Sequence, residues 1–386
     1  MRLTKIEYVE FPNDSREWRL QPLEVGDVNL VVGKNSAGKS RVLNIIVLIS
    51  RLVSNRQKPS FFSTEWNCWF EDDGTKYFYE LKVADRNVTK ERLTRNGDEL
   101  IDRGADGSGT IYSEKTAIGE FQTPTTDLAV VNRRDNKNHP FLEKLHDWGM
   151  SVFSYVFSTM LPPQAFAMMA NAAEVNLYDQ NSVVAVYNLG VREFGQSFLD
   201  AIIKDMSRLG YPLNSVSAAN PTFMQPIPAG LLGMSVQESD LQCPTEQMNM
   251  SQGMFRALSV LIQFNYASMS SKAGCVIVDD IGEGLDYERS CDLIDVLTAK
   301  ASPDTTRPAK VQLILSTNDR FVMNRVPLQS WTLLKRKSGV VSVYNYANHK
   351  RHFDDFKFTG MNNFDFFATD FLGEELEKTS EGAPSA

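Results

Sequence analysis

The sequence predicts an α/β protein: a buried, mostly parallel sheet carrying a phosphate-binding loop, together with an antiparallel β-subdomain and an inserted helical subdomain. Three observations predict it. The apolar run Val28-Asn29-Leu30-Val31-Val32 leads directly into Gly33-Lys34-Asn35-Ser36-Ala37-Gly38-Lys39-Ser40. A second apolar run, Val276-Ile277-Val278, ends on two carboxylates, Asp279 and Asp280. Between them lie short strand-like runs punctuated by turn residues, followed by a long stretch of helical periodicity.

In chain order, Leu3–Phe11 and Trp18–Val32 read as strands feeding the loop, and Arg41–Val53 as the helix whose first turn faces the phosphates. Trp66–Phe70, Lys76–Lys82, Asn87–Leu93 and Glu99–Ile101 form an antiparallel meander, turned at Asp72-Asp73-Gly74, Asp85-Arg86-Asn87 and Asn96-Gly97-Asp98. Asp102–Gly109 reads as a polar loop. From Phe141 to about Leu209 the helical period dominates, with Trp148, Val152, Tyr155 and Val156 on one face. Pro212–Glu238, with four prolines, reads as an irregular return to the main sheet. Cys275–Asp279 is a buried strand, Tyr287–Lys300 a helix and Val311–Ser316 a strand; Trp331–Lys335 and Val340–Tyr346 form a hairpin turned by Ser338-Gly339. Glu374–Ala386 reads as a disordered tail. The expected divisions are 1–140 for the first part of the main domain, 141–238 for the helical insertion, 239–350 for its second part and 351–386 for a C-terminal extension.

The 386 residues, 42% hydrophobic and 23% charged, describe an ordinary globule. No run approaches the ~20 apolar residues of a membrane span, and Met1-Arg2-Leu3-Thr4-Lys5 lacks a signal-peptide core, so a cytoplasmic protein without membrane contact is expected. Cys68, Cys243, Cys275 and Cys291 have no metal-ligand spacing and read as buried free thiols of a reducing compartment. A net charge of -8 opposes a surface that coats nucleic acid generally. Lys335-Arg336-Lys337 and His349-Lys350-Arg351-His352 are either solvated ends of elements or a local nucleic-acid contact. Asp354, Asp355, Asp365 and Asp370 form no recognisable metal set.

The first motif is a complete P-loop. Its glycines let the backbone turn tightly and present N–H groups to phosphates, Lys39 supplies charge, and the Ser40 hydroxyl can ligate Mg²⁺. The expected phosphate-contacting set runs through Gly33, Lys34, Asn35, Ser36, Ala37, Gly38, Lys39, Ser40 and Arg41. Asp279, at the C-terminal edge of a buried strand, would hold Mg²⁺ through its water shell, and Asp280 stands where a general base would polarise water. A carboxylate pair ending a strand can also be a plain turn.

Asp279-Asp280-Ile281-Gly282-Glu283-Gly284-Leu285-Asp286 resembles the Walker B and D-loop segment of the ABC-type ATPases, usually D-E-P-T-x-x-L-D. Met250-Ser251-Gln252-Gly253-Met254, opening a helix with Leu258, Leu261 and Ile262, resembles their L-S-G-G-Q signature, and Ser316-Thr317-Asn318-Asp319 resembles their switch loop, with Asn318 in place of histidine. The resemblance implies an ABC-ATPase-like P-loop domain binding ATP and Mg²⁺. It also implies a head-to-tail dimer in which Ser251 and Gly253 of one subunit meet the γ-phosphate held by another, with Asp286 in the D-loop at that interface. Ser251 is equally adequate as the N-cap of an amphipathic helix. Asp280 replaces the usual glutamate, Glu283 is a second candidate base, and slow hydrolysis is expected. Gln122 is the best candidate for a Q-loop residue. Tyr8 or Trp18 could stack on adenine, although each also reads as core.

Within that class the chain is similar to the compact soluble group holding the ATPase parts of OLD-family nucleases, SMC-like proteins and anti-phage systems such as PARIS and Septu. The Ser251–Arg256 form and the Thr359–Asp365 segment carry that similarity. The residues after Tyr346 are too few for the Toprim nuclease domain of OLD proteins, so a nuclease effector is expected in a separate partner. The resemblance implies an oligomeric sensor or scaffold that controls such an effector on detecting a phage protein or DNA. A DNA-repair or recombination ATPase is the alternative; a transporter subunit fits less well because the Q-loop is weak.

Overall fold

A computed structural model describes residues 1–113, 117–168, 175–223, 226–301 and 311–373. The tail expected to be disordered lies outside the described residues. The chain divides into two compact units, Met1–Val152 with Pro327–Ala386, and Phe153–Val326.

The first unit opens with β1 (Arg2–Glu10), β2 (Trp18–Glu24), β3 (Val28–Gly33) and α1 (Lys39–Val53). In α1, Val42, Ile45, Ile46, Ile49, Leu52 and Val53 recur at helical spacing and are all buried, so one stripe of the helix drives its docking. A meander follows: β4 (Ser63–Asp72), β5 (Thr75–Ala84), β6 (Asn87–Arg95), β7 (Asp98–Arg103), β8 (Ser108–Ser113) and β9 (Ala117–Gln122). Its first three hairpins turn through paired positive-φ residues, Asp73-Gly74, Asp85-Arg86 and Asn96-Gly97, as two-residue type I′ turns require. The polar segment Asp102–Gly109 is shorter as a loop than its composition suggests. Asp102 and Arg103 complete β7 opposite Thr110 and Gly109 of β8, leaving Gly104–Gly107 to turn.

After α2 (Ala129–Asn132) and α3 (Pro140–Met150) the expected helical run is broken. Val152–Val156 is strand β10, not the continuation of a helix. Val-Phe-Ser-Tyr-Val is β-branched and aromatic, and burial of Phe153 and Tyr155 in the sheet outweighs their helical spacing from Trp148.

The second unit continues with β11 (Ala167–Met168), α4 (Val183–Phe194), α5 (Gln196–Arg208), β12 (Leu213–Ala219), β13 (Leu231–Glu238), β14 (Thr245–Glu246), α6 (Gln252–Met269), β15 (Cys275–Asp279), α7 (Tyr287–Ala301), β16 (Gln312–Ser316) and α8 (Arg320–Arg325). Pro212–Glu238 is therefore not irregular. Pro212, Pro221, Pro226 and Pro228 all lie outside the two strands, which pair antiparallel from Leu213↔Glu238 to Ala219↔Gly233. β15 pairs parallel with β16 and is flanked on its other side by β10. α6 is buried nearly all round, Leu258, Leu261 and Ile262 completely.

The chain returns to the first unit with β17 (Trp331–Lys337) and β18 (Val340–Asn345), the expected hairpin, then α9 (Tyr346–Lys357) and α10 (Asn363–Ala368). β17 pairs parallel with β3 and β18 parallel with β2, giving the order β3-β17-β18-β2-β1-β4-β5-β6-β7-β8-β9. Asn345 and Asn362 each form a capping box, and Phe366 is buried among Trp331, Phe353 and Phe356. Cys68 and Cys275 are buried; Cys243 is exposed, because it lies in the connection between β13 and β14, and Cys291 is half-buried. Among the described residues no helix is long and apolar enough to cross a membrane.

Candidate nucleotide site

The first unit holds the loop read from the sequence as phosphate-binding. β3 ends on Gly33, Lys34–Ala37 turn, and Gly38 is the N-cap of α1 with φ of 105°, so Lys39, Ser40 and Arg41 form its first turn. Ser36 also has positive φ, 65°, and such alternation of backbone hand aims successive N–H groups into one concavity. Gly33 is needed for a second reason. A methyl there would sit 2.9 Å from the Leu334 carbonyl oxygen and 3.0 Å from the Ala37 Cβ. The buried Lys39 donates from Nζ to the Gly33 carbonyl at 2.9 Å, which curls the ammonium over the loop. No side chain caps α1, so its first N–H groups and the Lys39 charge suit a phosphate chain.

Tyr8 and Trp18 are core residues rather than a free stacking surface. Both are 5% exposed, their rings pack at 6.0 Å, and the face of Trp18 is taken by the Arg41 guanidinium at 4.0 Å. Glu10 pairs with Arg41 and steadies it. Gln122 ends β9 and donates to the Asp106 carbonyl at 2.8 Å, in the meander. A cleft of ≈ 370 Å³ flanks Lys34, Asn35, Ser36 and Ala37, with Leu333–Arg336 opposite and Phe367 and Asp370 at its end. A larger cleft, ≈ 620 Å³, lies among Arg2, Lys5, Trp69 and Tyr346 and contains none of the predicted site residues.

The second unit holds the paired carboxylates and the segment that resembles the signature. Asp279 closes β15, is buried, and accepts from the Ser316 hydroxyl at the end of β16. Asp280 follows at φ 55°, a left-handed position that costs about 1 kcal/mol for a residue with a Cβ. Its N–H donates to Ser316 Oγ at 3.1 Å, and its carboxylate accepts from Ser158 Oγ at 3.2 Å. Glu283 lies exposed in the following turn. Asn318 is exposed, while its neighbour Asp319 caps α8, accepting from the Phe321 N–H at 2.6 Å. A carboxylate and hydroxyl donor set suits a hard cation such as Mg²⁺.

Ser251 is the N-cap of α6 and accepts from the Met254 N–H at 3.2 Å, so the local capping role is real. Gly253 presses against the D-loop: a methyl there would lie 2.8 Å from the Gly284 carbonyl oxygen and 2.9 Å from Leu285 Cδ2. Asp286 accepts from the Arg289 N–H at 3.0 Å and pairs with that side chain. The N–H bond and then the guanidinium hold its carboxyl below the usual carboxylate range. Arg289 stacks over the Tyr211 ring at 4.5 Å. Sequence reasoning missed Ser158, Tyr211 and Arg289 as neighbours of these groups, and named Arg256 and Ser316 only within motif segments, without their contacts. Only the D-x-x-R spacing of Asp286 and Arg289 offered a local signal.

No protein-family model matches the chain, and no curated protein matches it. Solved structures do. The crystal structure of an SMC head bound to the C-terminal winged-helix domain of ScpA superposes with a TM-score of 0.50 at 13% identity, covering 89% of this chain and 97% of that one. The SMC head domain from Thermotoga maritima gives 0.47 at 15% identity, covering 89% and 99%. An SMC head with an extended coiled coil from Pyrococcus furiosus, bound to the C-terminal domain of ScpA, gives 0.48 at 12%, covering 92% and 99%. The chain has the ABC-ATPase-like α/β fold of an SMC head.

Proposed function

We propose that the chain is an ABC-type ATPase that binds ATP with Mg²⁺ at Gly33–Arg41, hydrolyses it slowly, and assembles through ATP-sandwiched dimers to control a separate effector. Bound ATP·Mg²⁺ would supply the scissile phosphate and its charge neutralisation. In the first unit Lys39 and the α1 N-terminus would hold negative charge and Ser40 offers a hydroxyl oxygen; in the second unit Asp279 offers a hard carboxylate donor and Asp280 is the base that would take a proton from water. Asn318, exposed in the segment that resembles the switch loop, is a further polar candidate of the second unit, and Glu283, exposed in its turn, is the weaker base candidate. The single observation that carries this reading is the junction of Gly253 with Gly284–Leu285, which sets the signature N-cap Ser251 beside the D-loop as one surface.

Anti-phage defence, with a Toprim-like nuclease as effector and a phage protein or DNA as trigger, is the biological form of this reading. It rests on the resemblance to PARIS and Septu ATPases. An SMC head of similar fold is bound to a separate protein domain, which supports work with a partner. The same likeness favours a DNA-maintenance ATPase as the second reading. That reading draws little from the basic clusters, since Lys335 pairs with Asp370, Lys350 with Asp354 and Arg351 with Asp355.

Titration with a fluorescent ATP analogue is the first test. Lys39→Ala is expected to weaken binding on the order of a hundredfold, about 3 kcal/mol; wild-type affinity in that variant rejects the site. Ser251→Arg is expected to leave affinity intact while native mass measurement with ATP shows assembly lost. ATP-strengthened, salt-sensitive DNA binding would shift the choice to the second reading.

A further inference from the structure

Arg256 is the structural feature that the nucleotide chemistry above does not use. It lies on α6, one turn beyond the signature, and is 5% exposed. Its Nη1 donates to the Glu283 carbonyl at 2.8 Å and its Nη2 to the Ser158 carbonyl at 2.6 Å, with Gln252 Oε1 at 3.5 Å from the same Nη2. A buried guanidinium that bonds two backbone carbonyls from segments 98 and 27 residues away fixes both segments to the helix. Ser158 sits in the single turn after β10, the strand flanking β15, and its hydroxyl holds Asp280. The chain of contacts is continuous: Gln252 at the α6 N-terminus, Arg256, Ser158, Asp280.

We infer that Arg256 and Ser158 are positioning residues that tie the base Asp280 to the signature helix, so that a nucleotide seated against Ser251 sets the orientation of that carboxylate. The inference rests on the proposed ATPase reading. Asp280 needs such a tether. The terminal torsion of an aspartate is broad, and an aspartate reaches one methylene less far than the usual glutamate, so small rotations move its carboxylate out of line with water. The Ser158 hydrogen bond removes that freedom, and the Arg256 bond to the Ser158 carbonyl keeps the serine in place. Outer partners of this kind typically change activity by about 10–100-fold when removed. The second arm, from Arg256 to the Glu283 carbonyl, fixes the turn without engaging the Glu283 side chain, which fits Asp280 rather than Glu283 as the base.

The test compares Ser158→Ala, Ser158→Thr and Asp280→Asn, with Ser158→Ala also placed in the Asp280→Asn background. Steady-state turnover, ATP-analogue affinity and mass in ATP are read for each. Ser158→Ala is expected to lower kcat about tenfold with affinity and assembly unchanged, Thr to restore most of it, and the double variant to be no slower than Asp280→Asn alone. Unchanged kcat in Ser158→Ala, or an additive further loss in the double variant, overturns the relay. Arg256→Gln is expected to lose the increase of turnover with protein concentration that assembly produces while keeping affinity; full retention of that increase also overturns it. A wild-type chain that binds nucleotide but hydrolyses none overturns the ATPase reading and the relay with it.

Discussion

Gly33–Arg41 and Asp279–Asp286 are both short segments at the ends of buried strands, yet they are held by different means. The first is nine consecutive residues whose shape comes from their own backbone: positive φ at Ser36 and Gly38, and Lys39 bonded back to Gly33. Its outside requirement is close approach, the Leu334 carbonyl against Gly33. The second is oriented by side chains from distant segments. Ser316 holds Asp279, Ser158 holds Asp280, Arg256 holds the Glu283 carbonyl and Gly253 makes room for Gly284. A phosphate cradle can be written locally because N–H groups are present in every residue. The base proposed at Asp280 would have to be aimed, and aiming takes partners from elsewhere.

Breaking the aimed group should have the largest effect. Asp280→Asn is expected to reduce turnover by about 10²–10⁴-fold, while ATP-analogue affinity stays near wild type; asparagine tolerates the left-handed backbone, so the fold persists. Equal losses of affinity and turnover would erase the distinction between cradle and base. Next, Gly253→Ala forces a methyl against Gly284 and Leu285 and is expected to destabilise the protein by about 1–3 kcal/mol, read in urea unfolding. Unchanged stability would mean that the signature and D-loop do not touch as described.

The smallest effect concerns Asp286. Its exposed side chain caps the start of α7 and pairs with Arg289, so Asp286→Ala is expected to cost about 1 kcal/mol at pH 7. Because its carboxyl is held below the ordinary value in the fold, this stability is present above the unfolded pKa and is lost as pH falls through the folded one. The gap between wild type and variant should therefore close in acid. A gap that widens below pH 4 would remove Arg289 as the cause.

The contrast also explains what could be read in advance. The strand–turn–helix backbone of Gly33–Arg41, the Cys275–Asp279 strand, the Ser338-Gly339 hairpin and the first three meander turns were legible because each depends on residues within one element or one turn. The helical reading of Val152–Val156 failed because apolar spacing fitted a helix while burial on both faces of a sheet decided for a strand. Pro212–Glu238 misled because its prolines lie between the strands and not within them. Gln122 looked right only by residue type, and β9 carries it into the meander.

The sequence by itself determined the strand, loop and helix at Val28–Val53, the buried carboxylate strand and the helix opening on its Ser251 cap, since backbone propensity and apolar periodicity act over a few residues. Tertiary structure alone decided that Tyr8 and Trp18 are core and that Arg41 covers Trp18. It also decided that Asp280 is held by Ser158, whose carbonyl Arg256 bonds, because a hydrogen bond between residues 122 apart is set by which strands become neighbours. Strand adjacency is fixed by the packing of the whole sheet, and no local pattern records it.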